Sequence, residues 1–382
     1  MTLATTPDDA FDAQADAVRI AVLCPPWLRV PPPRYGGIEA VVSLLADGLV
    51  EQGHDVTLFA AKGSTTRAKL VALHDEADLA DAGQMVPELR HTLSCLRQAG
   101  RFDVISDHSA PLACALSGAI ETPIVHTLHG ALDEAFAAAY DDVLAFAPRT
   151  SVISLSLAQR TPRPGFPWIA NIPNAVDLGR YTVRTRAAGT HLLWIGRMCA
   201  DKGPDRAIEV AREAGLPLVL AGKMREATER AYFERHVEPR LGSTVRYVGE
   251  ADRETLVRLL HEAIALVNPI EWPEPFGLVM IEAMACGVPV VATRRGAAPE
   301  VIESGVTGVL VEDYREMARM LPFVAEIDPA TCRAEAERRF APKVMVDRYL
   351  GAFTSAIIGR GREAQDETDG PVLLPVLASK AF

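Results

Sequence analysis

"HLLWIGRMCADKGPDRAIEVAREAGLPLVLAG", residues 191–222, reads as a strand, a loop, a helix and a second strand. The runs "HLLWIG" and "LPLVLAG" are short and largely apolar, as strands are when both faces of their sheet are covered. Between them "PDRAIEVAREAG" opens on Pro204, which suits the first turn of a helix, and stops at Gly215, which suits its end. Apolar strands joined by helices predict a parallel sheet with helices on both faces.

The alternation continues in both directions. Downstream come the helix "EATERAYFERHV" and the strands "TVRYVG", "AIALVNP", "PVVAT" and "GVLV". Upstream, "VRIAVLC" reads as a buried strand. Ile38, Val41, Val42, Leu45 and Leu49 then fall on one face of a helix that Gly53 stops. "HDVTLFA", "FDVIS", "PIVHTL" and "SVISLS" continue the series. Between the two series, "NIPNAVDLGRYTVRTRAAG" is rich in turn residues and charge, and reads as a linker. The expected fold is α/β, with two facing doubly wound, Rossmann-like domains and a cleft between them. The expected limits are a disordered tail at 1–17, a first domain at 18–186, a second at 187–340, a terminal helix at 341–360 and a flexible tail at 361–382. In such sheets ligands bind beyond the carboxyl ends of the strands, in the loops that lead into helices.

Composition narrows the class. The chain has 382 residues, 49% hydrophobic and 23% charged, which is enough for a core in each of two domains. A formal net charge of −11 argues against nucleic acid as the partner and against purely electrostatic docking on an anionic membrane. The six cysteines form no CxxC pair. No apolar run reaches the roughly eighteen residues of a transmembrane helix. The first residues, "MTLATTPDDAFDAQADAV", lack the basic start, apolar stretch and cleavage site of a secretory signal. The expected location is the cytoplasm with reduced thiols, peripheral membrane association being left open.

Four strand-to-helix loops carry residues suited to chemistry. In "PPPRYGGIE", Gly36 and Gly37 precede a helix, where bare backbone amides attract anions; a tight turn explains the pair equally. In "HTLHG", His129 ends a strand and is aimed at the cleft, where it can hydrogen-bond a hydroxyl or a developing charge; His126, within the strand, reads as structural. In "IGRMCADKGPD", Arg197 and Lys202 suit a diphosphate, the one as a planar fork and the other as a point charge, unless they are a solvated surface pair. The fourth is "EWPEPFGLVMIEAMACGVPVVAT", residues 271–293. It sets Glu274 in a loop and Glu282 about a turn inside a helix that starts at Gly277 or Leu278 and ends before Gly287. Free amides of Phe276, Gly277 and Leu278 would lie at that start. The two acids are then either ligand-binding groups or plain complements to the helix dipole.

These motifs, in this order, resemble family four of the retaining GT-B glycosyltransferases. The resemblance spans most of the chain through "YGGIE", "HTLHG", "IPNAVD", "IGRMCADKG", "EPFGLVMIEAMACGVPVVAT" and "GAAPEVIESGVTGVLVED". The E-x7-E segment is its most specific part, and the PPP-x-YGGIE start is similar to a bacterial branch. Ala175 stands where a Gly is common in the family. The resemblance implies a hexosyltransferase-type enzyme that moves a sugar from a nucleoside diphosphate sugar, UDP favoured over GDP, to an acceptor hydroxyl. It implies that Arg197 and Lys202 bind the diphosphate, and that Glu274 holds the donor sugar with His129 near it. Glu282 would hold the ribose, and Gly37, Phe276, Gly277 and Leu278 would border the sugar and phosphates. The segment 247–250, with Val248 and Gly249, would approach the base. No cofactor or metal is expected, since the sequence shows neither Asp-x-Asp nor a His/Cys ligand cluster. The acceptor, whether glycan, lipid-linked sugar or small molecule, is not legible. The competing readings are a glycoside hydrolase with paired carboxylates, a nucleotide-sugar 2-epimerase of the same fold, and a non-catalytic nucleotide-sugar-binding subunit.

Overall fold

A computed structural model of the protein describes residues 17–34, 36–73, 75, 83–147, 149–184 and 189–366. The first series of strands is β1 (Arg19–Leu23), β2 (Asp55–Phe59), β3 (Lys69–Val71), β4 (Val104–Asp107), β5 (Ile124–Thr127), β6 (Thr150–Ser154) and β7 (Trp168–Asn171). They form one parallel sheet in the order β3-β2-β1-β4-β5-β6-β7. Its helices are α1 (Gly37–Glu51), α2 (Met85–Leu96), α3 (Leu112–Ala115) and α4 (Glu134–Ala145). The second sheet holds β8 (His191–Ile195), β9 (Leu218–Ala221), β10 (Val245–Tyr247), β11 (Ala263–Asn268), β12 (Val290–Thr293) and β13 (Gly308–Val311). Its order is β10-β9-β8-β11-β12-β13, again parallel throughout. Its helices are α5 (Pro204–Ala214), α6 (Ala227–His236), α7 (Arg253–His261), α8 (Leu278–Ala285), α9 (Ala298–Val301), α10 (Met317–Val324) and α11 (Pro329–Phe340).

The strand order reverses between β1 and β4 in the first sheet and between β8 and β11 in the second. At each reversal the adjoining loops leave in opposite directions and open a crevice at the carboxyl ends. The loops after β8 and β11 are those that carry Arg197, Lys202 and Glu274.

Three features differ from the sequence expectation. Strands β3 and β7, which the sequence reading leaves out, are short edge strands whose side chains are exposed or only half-buried. The linker contributes to the cores over residues 172–181. Ile172, Ala175, Val176 and Tyr181 are buried, and the Val176 amide donates to the Phe340 carbonyl at 3.0 Å. The terminal helix α12 (Pro342–Asp366) runs past the expected limit at 360 and returns to the first domain. There Met345, Val346, Tyr349 and Phe353 join Leu45 and Leu49 in one apolar core. A Cβ on Gly48 would stand 2.7 Å from Val346 Cγ2, so a glycine lets α12 pack directly on α1. The tails expected at 1–17 and 361–382 lie largely outside the described residues. Among those residues no helix is long and apolar enough to cross a membrane.

Candidate active site

The loop between β11 and α8 is fastened before its side chains do anything. Arg206 Nε donates to the Pro269 carbonyl at 2.7 Å, and the Thr293 hydroxyl donates to that of Ile270. The Ala297 amide donates to the Glu274 carbonyl at 2.9 Å. Gly296 permits this approach: its φ is +51°, and a Cβ there would fall 2.3 Å from the Glu274 carbonyl oxygen. From the first domain, the Ser156 hydroxyl donates to the Pro275 carbonyl at 2.8 Å. The loop ends at Gly277, which caps α8 at φ +87° with no side chain bonded to the helix start. The first amides of α8 therefore face outward without a side-chain cap.

On this frame Glu274 pairs with Lys202, their side chains 12% and 16% exposed. The Lys202 ammonium also lies over the Trp272 ring, 5.0 Å from its centre. Arg197, at the end of β8, pairs with Glu229 at 3.2 Å. Leu278 opens α8 and Gly37 opens α1. A Cβ on Gly37 would be 3.1 Å from Leu278 Cδ1, so the two helix starts face each other across the domains. The Phe276 side chain is buried against Phe340, with ring centres 5.9 Å apart, leaving only its backbone to serve a ligand.

Glu282 is buried on α8. Its Oε1 accepts from the Tyr181 hydroxyl at 2.7 Å, while Oε2 is buried with no partner among the described residues. Burial raises the Glu282 carboxyl above its ordinary range; the Tyr181 bond and the nearby Arg253 charge oppose that rise. Cavities beside it are lined by Gly37, Tyr181, Arg253 and Leu278. A buried carboxylate oxygen that lacks a partner and borders a cavity is a polar group waiting for a donor. A second cavity at the ends of β8 and β9 is lined by Gly196, Arg197, Gly222, Lys223, Glu250 and Leu256.

Both halves of the chain match described families. Residues 35–180 match the Glycosyltransferase Family 4 domain, and residues 187–326 match the domain described as Glycosyl transferases group 1. The glycogen synthase of Mycobacterium tuberculosis is 27% identical, covering 83% of this chain and 89% of its own. The D-inositol 3-phosphate glycosyltransferase of an Arthrobacter species is also 27% identical, covering 78% and 83%. Among solved structures, AviGT4, a glycosyltransferase involved in avilamycin A biosynthesis, is 26% identical with a TM-score of 0.67 over 90% of this chain and 98% of its own. Anabaena HepE in complex with UDP and glucose shares the fold at a TM-score of 0.68 and 20% identity, covering 88% of this chain and 100% of its own.

This chain is a GT-B glycosyltransferase. Neither the 2-epimerase nor the non-catalytic reading is favoured by these relatives.

The glycosyltransferase pairs Lys202 with Glu274 beside Gly277, sets Gly37 against Leu278 and Glu282, and places Arg197 in the cavity at the ends of β8 and β9. Two sequence-named residues stand apart. Val248 is 41% exposed and does not line the cavity beside Glu250. Gly249 acts there through its backbone, its carbonyl accepting from the Gly222 amide at 2.9 Å. His129 belongs to the first domain, after β5, where Gln159 Nε2 donates to the carbonyls on either side of it, of Leu128 at 2.8 Å and Gly130 at 2.7 Å. Gln159 is in turn bonded to Ser156, the residue that reaches Pro275.

Sequence reading also misses partners. Tyr181 sits in the linker, Arg253 opens a surface helix, and Lys223 follows a strand without a motif. The fold further assembles Asp107, Cys114 and His126, whose potential metal-ligand atoms lie within 4.8 Å of one another, a grouping that sequence spacing does not show. These groups satisfy each other. Asp107 Oδ2 bonds His126 Nδ1 at 2.7 Å and accepts from Cys114 Sγ at 3.9 Å, and His126 Nε2 bonds the Tyr140 hydroxyl at 2.7 Å.

Proposed function

We propose that this enzyme moves a sugar from a nucleoside diphosphate sugar to an acceptor hydroxyl with retention at the anomeric carbon and without a metal. One observation carries the reading: at the strand-order reversal of the second sheet, Lys202 from the loop after β8 pairs with Glu274 from the loop after β11, just before the uncapped start of α8. Cations and helix amides suit a departing diphosphate. Arg197 and Lys202 take up its charge, Glu274 accepts from donor-sugar hydroxyls, and the backbone at Phe276, Gly277 and Leu278 borders sugar and phosphate, with Gly37 opposite. Glu282 Oε2 takes a ribose hydroxyl. The cavity by Glu250 receives the base, and His129 faces the sugar from the first domain.

Preorganised donors of this kind typically contribute about 3–4 kcal/mol each in the transition state. The leaving phosphate takes the acceptor proton on the same face, so no protein base is required. The match to glycogen synthase supports glucose as the sugar. UDP-glucose is the first donor to test, and the enzyme is assigned to the bacterial branch of the E-x7-E family. The test is thermal shift against UDP-, GDP-, ADP- and dTDP-glucose, with and without EDTA. It is followed by proton NMR of the sugar first released when the stabilising donor is hydrolysed. A shift that EDTA leaves unchanged, and an α-anomer released first, are the expected results. A β-anomer released first would overturn retention, and loss of the shift in EDTA would overturn metal independence.

A further inference from the structure

His129 does not stand alone. Its Nε2 lies 2.9 Å from His108 Nδ1, and His108 Nε2 lies 3.0 Å from the Ser106 hydroxyl. Ser106 and His108 are buried at the end of β4, and His129 is partly buried after the neighbouring strand β5. Two facing ring nitrogens share one proton, so one must donate and the other accept.

The buried hydroxyl decides which. Ser106 Oγ makes no other hydrogen bond among the described residues. If His108 Nε2 carried the proton and donated to Ser106, the hydroxyl proton would be buried without an acceptor, a costly state. If instead the hydroxyl donates to His108 Nε2, the His108 proton sits on Nδ1 and is donated to His129 Nε2. Neutral His129 then carries its own proton on Nδ1, which makes no hydrogen bond among the described residues. Only in this arrangement does the buried Ser106 hydroxyl proton find an acceptor while both hydrogen bonds of the chain Ser106–His108–His129 are kept.

We propose that Ser106 and His108 are positioning residues that lock His129 in the Nδ1–H tautomer, so that it meets its ligand as a neutral hydrogen-bond donor and never as a base. The environment agrees. Burial pushes the His129 imidazole down to about 3, and neighbouring His126 adds to that while Asp107 opposes it. Burial also holds His108 well below the usual range, with His129 and His126 adding to it. The ring of Tyr349 on α12 covers His108 at 5.8 Å and brings no charge. A locked donor suits an oxygen of the donor sugar and leaves the acceptor proton to the leaving phosphate. That consequence rests on the proposed function; the tautomer itself does not.

The test separates the two. Nitrogen-15 NMR of the histidine-labelled, ligand-free full chain, with His129→Ala for assignment, reads the tautomer directly. His129 is expected to show a protonated Nδ1 and a bare Nε2, unchanged between about pH 8 and pH 5. A protonated Nε2, or titration within that range, would overturn the lock, and the wild-type spectrum alone decides this. His108→Asn keeps an N–H near the Nδ1 position and is expected to preserve the pattern. His108→Asp, isosteric with the Asn variant, offers an acceptor there and is expected to reverse it. In hydrolysis of UDP-glucose, His108→Asp is expected to lose at least about tenfold in kcat relative to His108→Asn with KM little changed, as removal of a preorganised donor would cause. Equal kcat in the two variants would overturn the role in transfer. Should the wild type neither bind nor hydrolyse UDP-glucose while its spectrum shows the lock, the donor reading fails and the tautomer assignment stands.

Discussion

Substituting Glu274 by Gln tests whether the Lys202–Glu274 pair acts as a buried ion pair. With side chains only 16% and 12% exposed, the pair is far from the surface limit of about 0.2–1 kcal/mol. Removing one partner of a fully buried pair costs about 3–5 kcal/mol, because the other charge is left uncompensated. In Glu274→Gln the ammonium keeps the Trp272 ring at 5.0 Å, and a cation–π contact of this kind is worth about 1 kcal/mol. The expected cost is therefore about 2–4 kcal/mol, some thirtyfold or more in the unfolding equilibrium. Lys202→Met should cost a similar amount. The double variant, which buries no charge, should recover about 2 kcal/mol of the summed losses. Urea unfolding of the ligand-free protein measures all four corners of the cycle. Additivity within about 0.5 kcal/mol would refute the reasoning, since the two side chains would then not be coupled. The thermal shift given by UDP-glucose is expected to vanish in both single variants and in the double, because the proposed donor contacts need the native pair.

Tyr181→Phe leaves both oxygens of Glu282 without a protein donor and should cost about 1.5–3 kcal/mol at neutral pH. Burial raises the folded carboxyl above its unfolded value, so the ionised form is the disfavoured one. Stability falls as pH rises through that raised range, and the extra loss in Tyr181→Phe should shrink on acidification; a loss equal at pH 7 and pH 4.5 in urea titrations would contradict this. Gly296→Ala places a Cβ 2.3 Å from the Glu274 carbonyl at a φ of +51°, and should lose about 3 kcal/mol together with the UDP-glucose thermal shift. Cys199 is the one cysteine of six that is not buried, and it lies on the loop between Arg197 and Lys202. A maleimide should label it first, and bound UDP should slow that labelling; labelling of Cys286 before Cys199 in peptide mapping would argue against the loop placement.

The sequence by itself determined the class of fold and the loops that make up the candidate site. Period and punctuation around 191–222 establish buried parallel strands joined by helices, because a strand covered on both faces must be apolar along its whole length. The glycines and charges that interrupt this pattern, from Gly36 to Glu274, fall in the strand-to-helix loops, where a doubly wound sheet binds ligands. Strands β3 and β7 escaped because they span only three and four residues, too few to establish a period. Tertiary structure alone decided the partners. An apolar stripe on α12 says which face is buried but not against what, and it is Gly48 on α1 that admits Val346. Tyr181 reaches Glu282 across 101 positions, Lys202 reaches Glu274 across 72, and His108 meets His129 because β4 and β5 are neighbours. Local pattern fixes what a residue can do, whereas contact between distant side chains depends on strand order and close packing, which no local pattern encodes.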